Sequence, residues 1–275
     1  MAKSKTKRKT RAKKPKALLP ASAGFDCGSY PGDAAIRTWA ASSAYSFVGY
    51  YFDAPCHTTA RFKSWSGKFP VIKDAGLGLA ILYVGLQQDG CGHTRVSRDN
   101  GLAHGRDTVS KFRAEGFRDG AIVFLDVEHF DGPLSAPMNA YIRGWLSAIL
   151  DSGTVNGGIY CPASKAKAIR TAARKEYAAH GVPGGPAFWI VKVDPRFDPK
   201  TSKPADCGVA FAAAWQGKLE TTETHGGVSL DIDQNVAASS DPSGARRAQP
   251  RPGADHQRKR RRHPHRKAPR RRNPS

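Results

Sequence analysis

Eight short apolar runs recur between residues 20 and 240, and their spacing is the feature that most constrains the fold. Most of the runs are apolar on both alternating faces, as in parallel strands that are covered on each side. Successive runs are mostly about 25–40 residues apart, which fits β-α units with right-handed crossovers. The predicted strands are Gly24–Cys27, Phe47–Phe52, Leu79–Leu86, Ala121–Val127, Gly158–Cys161, Ala187–Val193, Val209–Trp215 and Val228–Ile232.

Helical patterns fall between several of these runs. Asp33 and Ser135 are candidate N-caps, and Gly153 is placed to end the helix that Ser135 begins. Eight strands with intervening helices in about 220 residues predict an α/β fold of the (β/α)8, TIM-type barrel class, with helices missing near the C-terminal strands. A doubly wound open sheet is the alternative. The absence of a G-x-G-x-x-G or Walker-type loop after any run weakens that alternative.

The net charge of +21 is concentrated at the two ends of the chain. Residues 1–19 contain nine Lys and Arg and no acids, whereas residues 20–240 contain 22 bases and 21 acids. Basic segments without periodic apolar positions cannot offset the entropy of ordering, so both ends are predicted to be disordered. The predicted organisation is a basic tail over 1–20, a barrel domain over 21–238 and an Arg/Pro-rich tail over 239–275.

Tails with this charge density favour binding to a polyanion, such as a teichoic-type polymer, an anionic lipid or a nucleic acid. Specific reading of DNA is not predicted, because no helix-turn-helix, zinc-finger or RNA-binding sheet motif accompanies them. No run approaches the ~20 apolar residues of a transmembrane helix. The apolar stretch at residues 17–20 is also too short for a signal peptide. A monomer is expected.

Acidic residues stand at the ends of three predicted strands, where the catalytic groups of a barrel lie. Side chains two apart on a strand share a face, so Asp126 and Glu128 are predicted to enter the barrel mouth together. Asp26 ends the first run, and Asp231 and Asp233 end the last. Clustered carboxyls raise one another's pKa, and glycosidic cleavage needs a protonated acid beside an ionised one. Aspartates that only cap loops are the alternative interpretation.

Aromatic and amide side chains accompany these acids. Sugar rings pack on aromatic faces and hydrogen-bond to amides, so such residues are candidates for a saccharide groove, with core packing as the alternative. No metal site or cofactor is predicted, because no histidine lies at ligand spacing on the faces that carry the acids. The candidates are Tyr50, Tyr51, Tyr83, Gln87, Tyr160, Trp189, Trp215 and Gln216.

The five cysteines are too few for a disulfide scaffold. Cys56 and His57 follow the second run, and Cys91 and His93 follow the third, so neighbouring loops could bring the two pairs together. A Cys56–Cys91 disulfide, a zinc site and free thiols are all compatible with this spacing. The disulfide is favoured over zinc because the spacing matches no recognised finger.

Several of these motifs together resemble a bacterial glycoside-hydrolase-like domain that is common in actinobacteria and related to the family 25 lysozymes. The resemblance covers about residues 22–237 and excludes the tails. The motifs that carry it, in chain order, are GFD, FVGYYF, ILYVGLQ, HG, FLDVE, GIYC, AWQ and DIDQN.

In those lysozymes an Asp on the first strand, the D-x-E of the fourth strand and an Asp near the last strand line the cleft. The resemblance therefore implies that Glu128 is the general acid and that Asp126 orients or stabilises, with Asp26 and either Asp231 or Asp233 completing the cleft. It implies cleavage of the β-1,4 bond between muramic acid and glucosamine in peptidoglycan, and favours the cell envelope or secretion. The alternatives are a non-catalytic glycan-binding barrel and a polyanion-associated protein that acts through its tails.

Overall fold

A computed structural model describes residues 21–54 and 63–245 of the chain. Eight strands close into one barrel in chain order, so the predicted (β/α)8 architecture is confirmed. The strands are β1 Ser22–Asp26, β2 Phe47–Tyr51, β3 Gly78–Val84, β4 Ile122–Asp126, β5 Asn156–Pro162, β6 Ala187–Val191, β7 Ala214–His225 and β8 Val228–Ala237.

The last strand departs from the predicted all-parallel arrangement. Strands β1 to β7 pair in parallel, but β8 runs antiparallel to both β7 and β1. The cause is a hairpin at Gly226 and Gly227, which both have positive φ angles (56° and 82°). Two adjacent left-handed residues favour a tight turn between antiparallel strands. The predicted seventh strand was also misplaced, since β7 begins only at Ala214.

Five α-helices cover the outside of the barrel within the described ranges. No α-helix separates β6 from β7, where a short 3-10 turn at Pro204–Cys207 stands instead, and none separates β7 from β8. The predicted loss of helices near the C-terminal strands is therefore confirmed. The helices are α1 Asp33–Ser42, α2 Phe69–Asp74, α3 Arg98–Glu115, α4 Ala136–Ser152 and α5 Ala163–Ala179.

The ends of α4 follow local chemistry, whereas the start of α1 does not. Ser135 Oγ accepts a hydrogen bond from the Met138 amide, and Gly153 ends the helix in the left-handed conformation, both as predicted. The prediction that Asp33 caps α1 is wrong. Gly32 holds the N-cap position, and the Asp33 carboxylate accepts instead from the Tyr30 hydroxyl and the Lys68 ammonium group.

The barrel has an inner and an outer apolar layer, and this division sets the orientation of the site. Phe124 on β4 packs inside the barrel, whereas Val123 and Leu125 pack outward against the helices. Alternation therefore directs Asp126 inward at the top of β4, as predicted. The inner layer contains Phe47, Ala80, Leu82, Phe124, Tyr160, Trp189, Ala214 and Ala237.

The segment that follows β8 closes the opposite end of the barrel. The Ser243 carbonyl accepts from the Ile122 amide and its hydroxyl accepts from the Ile81 amide, both at 2.8 Å. Ser243 and Ala245 are buried. The packed body therefore continues beyond residue 238, where the barrel domain was predicted to end, because this segment pairs with backbone groups at the starts of β3 and β4. Residues 1–20 and 246–275 lie outside the described residues.

One of the four described cysteines is disulfide-bonded and the other three are free. Cys91 is disulfide-bonded, whereas Cys27, Cys161 and Cys207 are free. Cys56 and His57 lie outside the described residues, so the predicted pairing of Cys56 with Cys91 stays a prediction. Within 21–54 and 63–245, no helix is long and apolar enough to cross a membrane.

Candidate active site

Four carboxyl side chains meet at one mouth of the barrel. Asp26 ends β1, Asp126 ends β4, Glu128 follows β4 by two residues and Asp233 lies within β8. Asp26 and Asp126 are almost fully buried, and the charges of the four groups act on one another. The fold therefore brings together the first-strand, fourth-strand and last-strand acids that the sequence predicted.

The structure decides between the two acids of the last strand. Asp233 is the register partner of Asp26 across the β1–β8 pair. Asp231 lies farther out on the β7–β8 hairpin, is exposed, and accepts a hydrogen bond from the Thr222 hydroxyl. The prediction that strand eight ends at these acids is wrong. Asp233 reaches the mouth because β8 enters the barrel from that side.

Asp26 is a buried carboxyl with three side-chain donors. The Tyr51 hydroxyl donates to Oδ1 at 2.9 Å, and Gln216 Nε2 and Asn235 Nδ2 donate to Oδ2 at 3.0 and 2.7 Å. Burial, with a further contribution from the charge of Asp233, raises the pKa of Asp26 to about 7, although these hydrogen bonds act in the opposite direction. Asp26 therefore titrates near neutral pH.

Asn235 is the one residue of this cluster that was not among the candidates from the sequence. Its side chain is fully buried and links Asp26 to Trp189, whose indole nitrogen donates to Asn235 Oδ1 at 3.0 Å. The sequence did contain a signal for Asn235, because this residue stands two positions after Asp233 and therefore shares its strand face. Trp189 was predicted to contact substrate. It lies fully buried in the inner layer, where Phe124 and Tyr160 pack against it, and holds Asn235 instead.

Asp126 has the least satisfied carboxyl group of the site. Its Oδ1 is buried and has no hydrogen-bond partner in the protein. Burial raises the pKa of Asp126 well above its usual range, and the charges of Glu128 and Asp26 act in the same direction. Buried polar atoms without a partner are rare and carry a free-energy cost of about 1–3 kcal/mol. The Asp126 Oδ1 atom therefore has a hydrogen-bonding capacity that no group of the protein meets.

Glu128 is partly accessible at the mouth, with about a third of its side chain exposed. Its Oε2 lies 3.1 Å from the Tyr160 hydroxyl, and its Oε1 lies 4.0 Å from Nδ1 of His129. Gln87 was predicted to contact substrate. Its Oε1 instead accepts from the backbone amides of Glu128 and His129, both at 2.9 Å, so it fixes the loop that carries the acid.

Gln216 and Tyr160 link the acids to one another. Gln216 Nε2 lies 3.1 Å from Oδ2 of Asp233 as well as close to Asp26, and Gln216 Oε1 contacts the Tyr160 hydroxyl. The structure places both predicted residues at the site. Both side chains are buried, so they connect protein groups below the exposed part of Glu128.

Three of the aromatic candidates lie outside the barrel, between the strands and the surrounding layer. The Tyr83 hydroxyl donates to Asp107 on α3, and Trp215 Nε1 donates to the Lys192 carbonyl. Their strand neighbours Leu82 and Gln216 point inward, so alternation directs Tyr83 and Trp215 outward. Tyr50 is likewise buried in the outer layer. These side chains are not available as a saccharide platform.

Metal ligands do not cluster in the described part of the chain. Within it, no group of three or more His, Cys, Asp or Glu side chains is arranged to hold a metal ion.

A closed barrel with outer helices and acids grouped at its mouth defines a glycoside hydrolase-like barrel. Residues 37–237 match the family model of the Rv2525c-like, glycoside hydrolase-like domain, and the chain belongs to this family. The resemblance seen in the sequence is thereby confirmed. A comparison with curated protein sequences found no match.

Solved structures share the fold at low sequence identity. An uncharacterized protein of B. stearothermophilus is 17% identical with a TM-score of 0.55, covering 78% of this chain and 95% of that one. The spore cortex lytic enzyme SleM of Clostridium perfringens is 16% identical with a TM-score of 0.54, covering 82% and 70%. GHIP, a glycosyl hydrolase 25 of Streptococcus pneumoniae, is 14% identical with a TM-score of 0.50, covering 78% and 86%. The fold is thus related to that of the family 25 lysozymes.

Proposed function

We propose that this protein is a glycoside hydrolase that cleaves the β-1,4 bond between muramic acid and glucosamine in peptidoglycan. The observation that carries the proposal is the pair at the end of β4. Asp126 presents a buried oxygen with no partner in the protein, and the partly exposed Glu128 stands two residues further on. An acid within reach of the leaving oxygen beside a second carboxyl is the arrangement that glycosidic cleavage requires.

Glu128 takes the role of general acid in this proposal. Solvent reaches its side chain, and Gln87 holds its backbone through the Glu128 and His129 amides. A general acid must lie within hydrogen-bond reach of the atom that it protonates, so a fixed loop favours the reaction. Asp126 orients the substrate or stabilises the positive charge that develops at the sugar ring.

Asp26 and Asp233 contribute to the electrostatic environment of the site. Burial raises the pKa of both carboxyls, and the charge of a neighbouring carboxyl, Asp233 for Asp26 and Glu128 for Asp233, acts in the same direction. When positive charge develops on the sugar ring, ionisation of such a carboxyl stabilises the oxocarbenium-like transition state, and it does so more strongly in a site shielded from water. The cluster therefore favours a reaction in which positive charge develops on the substrate.

The choice of peptidoglycan is supported by the kind of protein that shares this fold. SleM is described as a spore cortex lytic enzyme and GHIP as a glycosyl hydrolase 25. The basic tails are proposed to hold the enzyme against an anionic polymer, and this part of the proposal depends on their charge alone.

The test is release of muropeptides with new reducing-end muramic acid from purified peptidoglycan. Glu128→Gln should reduce the rate at least 100-fold, because general acid catalysis contributes about 10²–10⁴-fold. Asp231→Asn is the matched control and should retain full activity, since Asp231 is exposed on the hairpin. Saturable binding of peptidoglycan without any release by the wild type would overturn the proposal and favour a non-catalytic glycan-binding barrel.

A further inference from the structure

Helices α3 and α4 approach each other closely outside the barrel because glycines lie at their contact. A Cβ atom at Gly101 would overlap the Tyr141 carbonyl oxygen. A Cβ atom at Gly105 would lie only 2.7 Å from the Trp145 carbonyl oxygen. Glycine lacks this atom and therefore allows the approach. It brings His104, the first residue of the HG motif, to α4, where its Nδ1 lies 2.9 Å from the Tyr141 hydroxyl oxygen.

The Tyr141 hydroxyl joins His104 to the backbone that follows β3. Tyr141 is fully buried, and the Leu86 amide donates a hydrogen bond to its hydroxyl at 3.0 Å. Within the described residues, this amide and Nδ1 of His104 are the only hydrogen-bond partners of the hydroxyl. An amide N–H can only donate, so Nδ1 is the one acceptor left for the hydroxyl hydrogen. Buried polar groups are rarely left without a partner, so Tyr141 donates to Nδ1.

The surroundings of His104 favour a neutral ring with the bare Nδ1 that this hydrogen bond needs. Burial is the main cause that lowers the pKa of His104, and the charge of Lys111 acts in the same direction. The charge of Asp107 acts in the opposite direction. Its carboxylate is also engaged by the Tyr83 hydroxyl and the Lys111 ammonium group. A neutral ring carries one hydrogen, which stands on Nε2 when Nδ1 accepts.

The Leu86 amide connects this pair of side chains to the candidate active site. Leu86 stands between Gly85 and Gln87 in the loop after β3. Gly85 leaves room for the hydroxyl, because a Cβ atom there would lie 3.1 Å from the Tyr141 oxygen, closer than an ordinary contact. Gln87 Oε1 accepts from the amides of Glu128 and of the next residue, both at 2.9 Å. Hydrogen bonds and one peptide link therefore connect α3 to the loop that carries Glu128.

We propose that His104 and Tyr141 are positioning residues, which fix the Leu86 amide. Through this amide they hold Gln87 against the loop that carries Glu128. Both act through other residues, since Tyr141 is fully buried and His104 lies on α3, outside the barrel. The inference rests on the proposed function in one respect, namely that Glu128 is the acid that this loop presents to the substrate. It gives the HG motif, which the proposed reaction does not use, a role in the site.

Hydrogen exchange of single amides, followed by NMR in the full chain, tests the link from α4 to the loop. Tyr141→Phe removes the acceptor of the Leu86 amide, which should then exchange at least tenfold faster. The Glu128 amide should also exchange several-fold faster, because its acceptor is less firmly held. Tyr177→Phe is the matched control and should change neither amide, since its hydroxyl contacts the Gly157 carbonyl instead.

Two variants of His104 test the link from α3 to α4 and keep the question answerable if Tyr141→Phe folds poorly. His104→Leu removes the acceptor of the Tyr141 hydroxyl and should speed exchange of the Leu86 amide. His104→Asn should restore most of the protection, because asparagine carries its oxygen one bond from Cγ, as histidine carries Nδ1. In the wild type, nitrogen-15 NMR of the His104 ring should show a bare Nδ1 and a hydrogen on Nε2 at neutral pH.

The outcomes that contradict the proposal are distinct. Unchanged exchange of the Leu86 or the Glu128 amide in Tyr141→Phe would overturn it. Equal exchange rates in His104→Leu and His104→Asn would do the same, as would a hydrogen on Nδ1 in the wild type. None of these readouts needs turnover. A protein that shows the expected exchange but cleaves no peptidoglycan would overturn the proposed function and leave the positioning of this loop standing.

Discussion

Asp26 and Asp233 face each other as register partners across the only antiparallel contact that β1 makes within the described barrel. The pairing of β1 with β8 keeps these two carboxyls adjacent whether they are protonated or ionised. Burial comes first among the causes that raise the pKa of Asp26 to about 7, and the charge of Asp233 comes second. The folded protein therefore confines two carboxyls that repel each other once both are ionised.

The raised pKa of Asp26 makes the stability of the fold depend on pH. The pKa of Asp26 is higher in the folded chain than its ordinary value of 3.8, so the folded state holds a proton that the unfolded state has released. The contribution of Asp26 to the free energy of unfolding is therefore undiminished below pH 3.8 and declines as pH rises to about 7. Asp233→Asn should lower the pKa of Asp26 and flatten this decline. Thermal unfolding across that range measures it, with Asp231→Asn expected to behave as the wild type.

Replacing Asn235 should disturb both groups that it joins. Asn235→Ala leaves Trp189 Nε1 without a partner and removes one of the two donors to Asp26 Oδ2, and should lower the free energy of unfolding by about 1–3 kcal/mol. Because the Asn235 hydrogen bond lowers the pKa of Asp26, its loss should raise that pKa further. Urea unfolding and a carboxyl titration by NMR measure the two effects. Asn156→Ala, at an exposed asparagine, serves as the control. An equal loss of unfolding free energy in this control would contradict the role given to Asn235.

Gln87 should matter through the loop that it holds. Gln87→Ala removes the acceptor of the Glu128 and His129 amides, so both amides should exchange with solvent at least tenfold faster. The rate of peptidoglycan hydrolysis should fall in parallel, because the acid is no longer fixed. Gln87→Glu keeps an acceptor oxygen and should restore most of the amide protection. Unchanged exchange in Gln87→Ala would show that Gln87 does not position this loop.

Two truncations separate the end of the barrel from the tail. Ending the chain after residue 245 should leave the unfolding temperature unchanged, because the contacts of Ser243 are retained. Ending it after residue 238 removes the acceptors of the Ile81 and Ile122 amides and should lower stability by about 2–4 kcal/mol. Calorimetry on the two truncated chains provides the comparison. Equal unfolding temperatures would mean that residues 239–245 contribute nothing to the barrel.

Much of the fold could be predicted because local signals and the global fold agree. The apolar runs at β2 to β6 coincide with strands, and the cap at Ser135 lies where its hydroxyl meets a free amide. At the end of β4, Asp126 and Glu128 follow the buried Phe124 by two and four positions. Strand periodicity alone therefore directed Asp126 and Glu128 to the same side as Phe124.

The errors occurred where the sequence pattern is symmetric. A run that is apolar on both faces does not reveal which face turns inward, so Tyr83 and Trp215 were assigned to the mouth although they pack outside the barrel. The direction of β8 was missed for a similar reason. The turn signal of Gly226 and Gly227 is only two residues long and stands between segments that also fit separate parallel strands.

The sequence by itself determined a barrel of eight strands, its membership of a glycoside hydrolase-like family, and the carboxyl types that its site would use. Only the tertiary structure showed that Asp233 lies at the mouth and Asp231 does not, and that Asn235 belongs to the site. It also showed that Gln216 and Tyr160 link the acids by hydrogen bonds. The physical reason is register. The pairing of β8 with β1 joins residues more than two hundred positions apart, and which side chains then share a hydrogen bond depends on that pairing and on no local pattern.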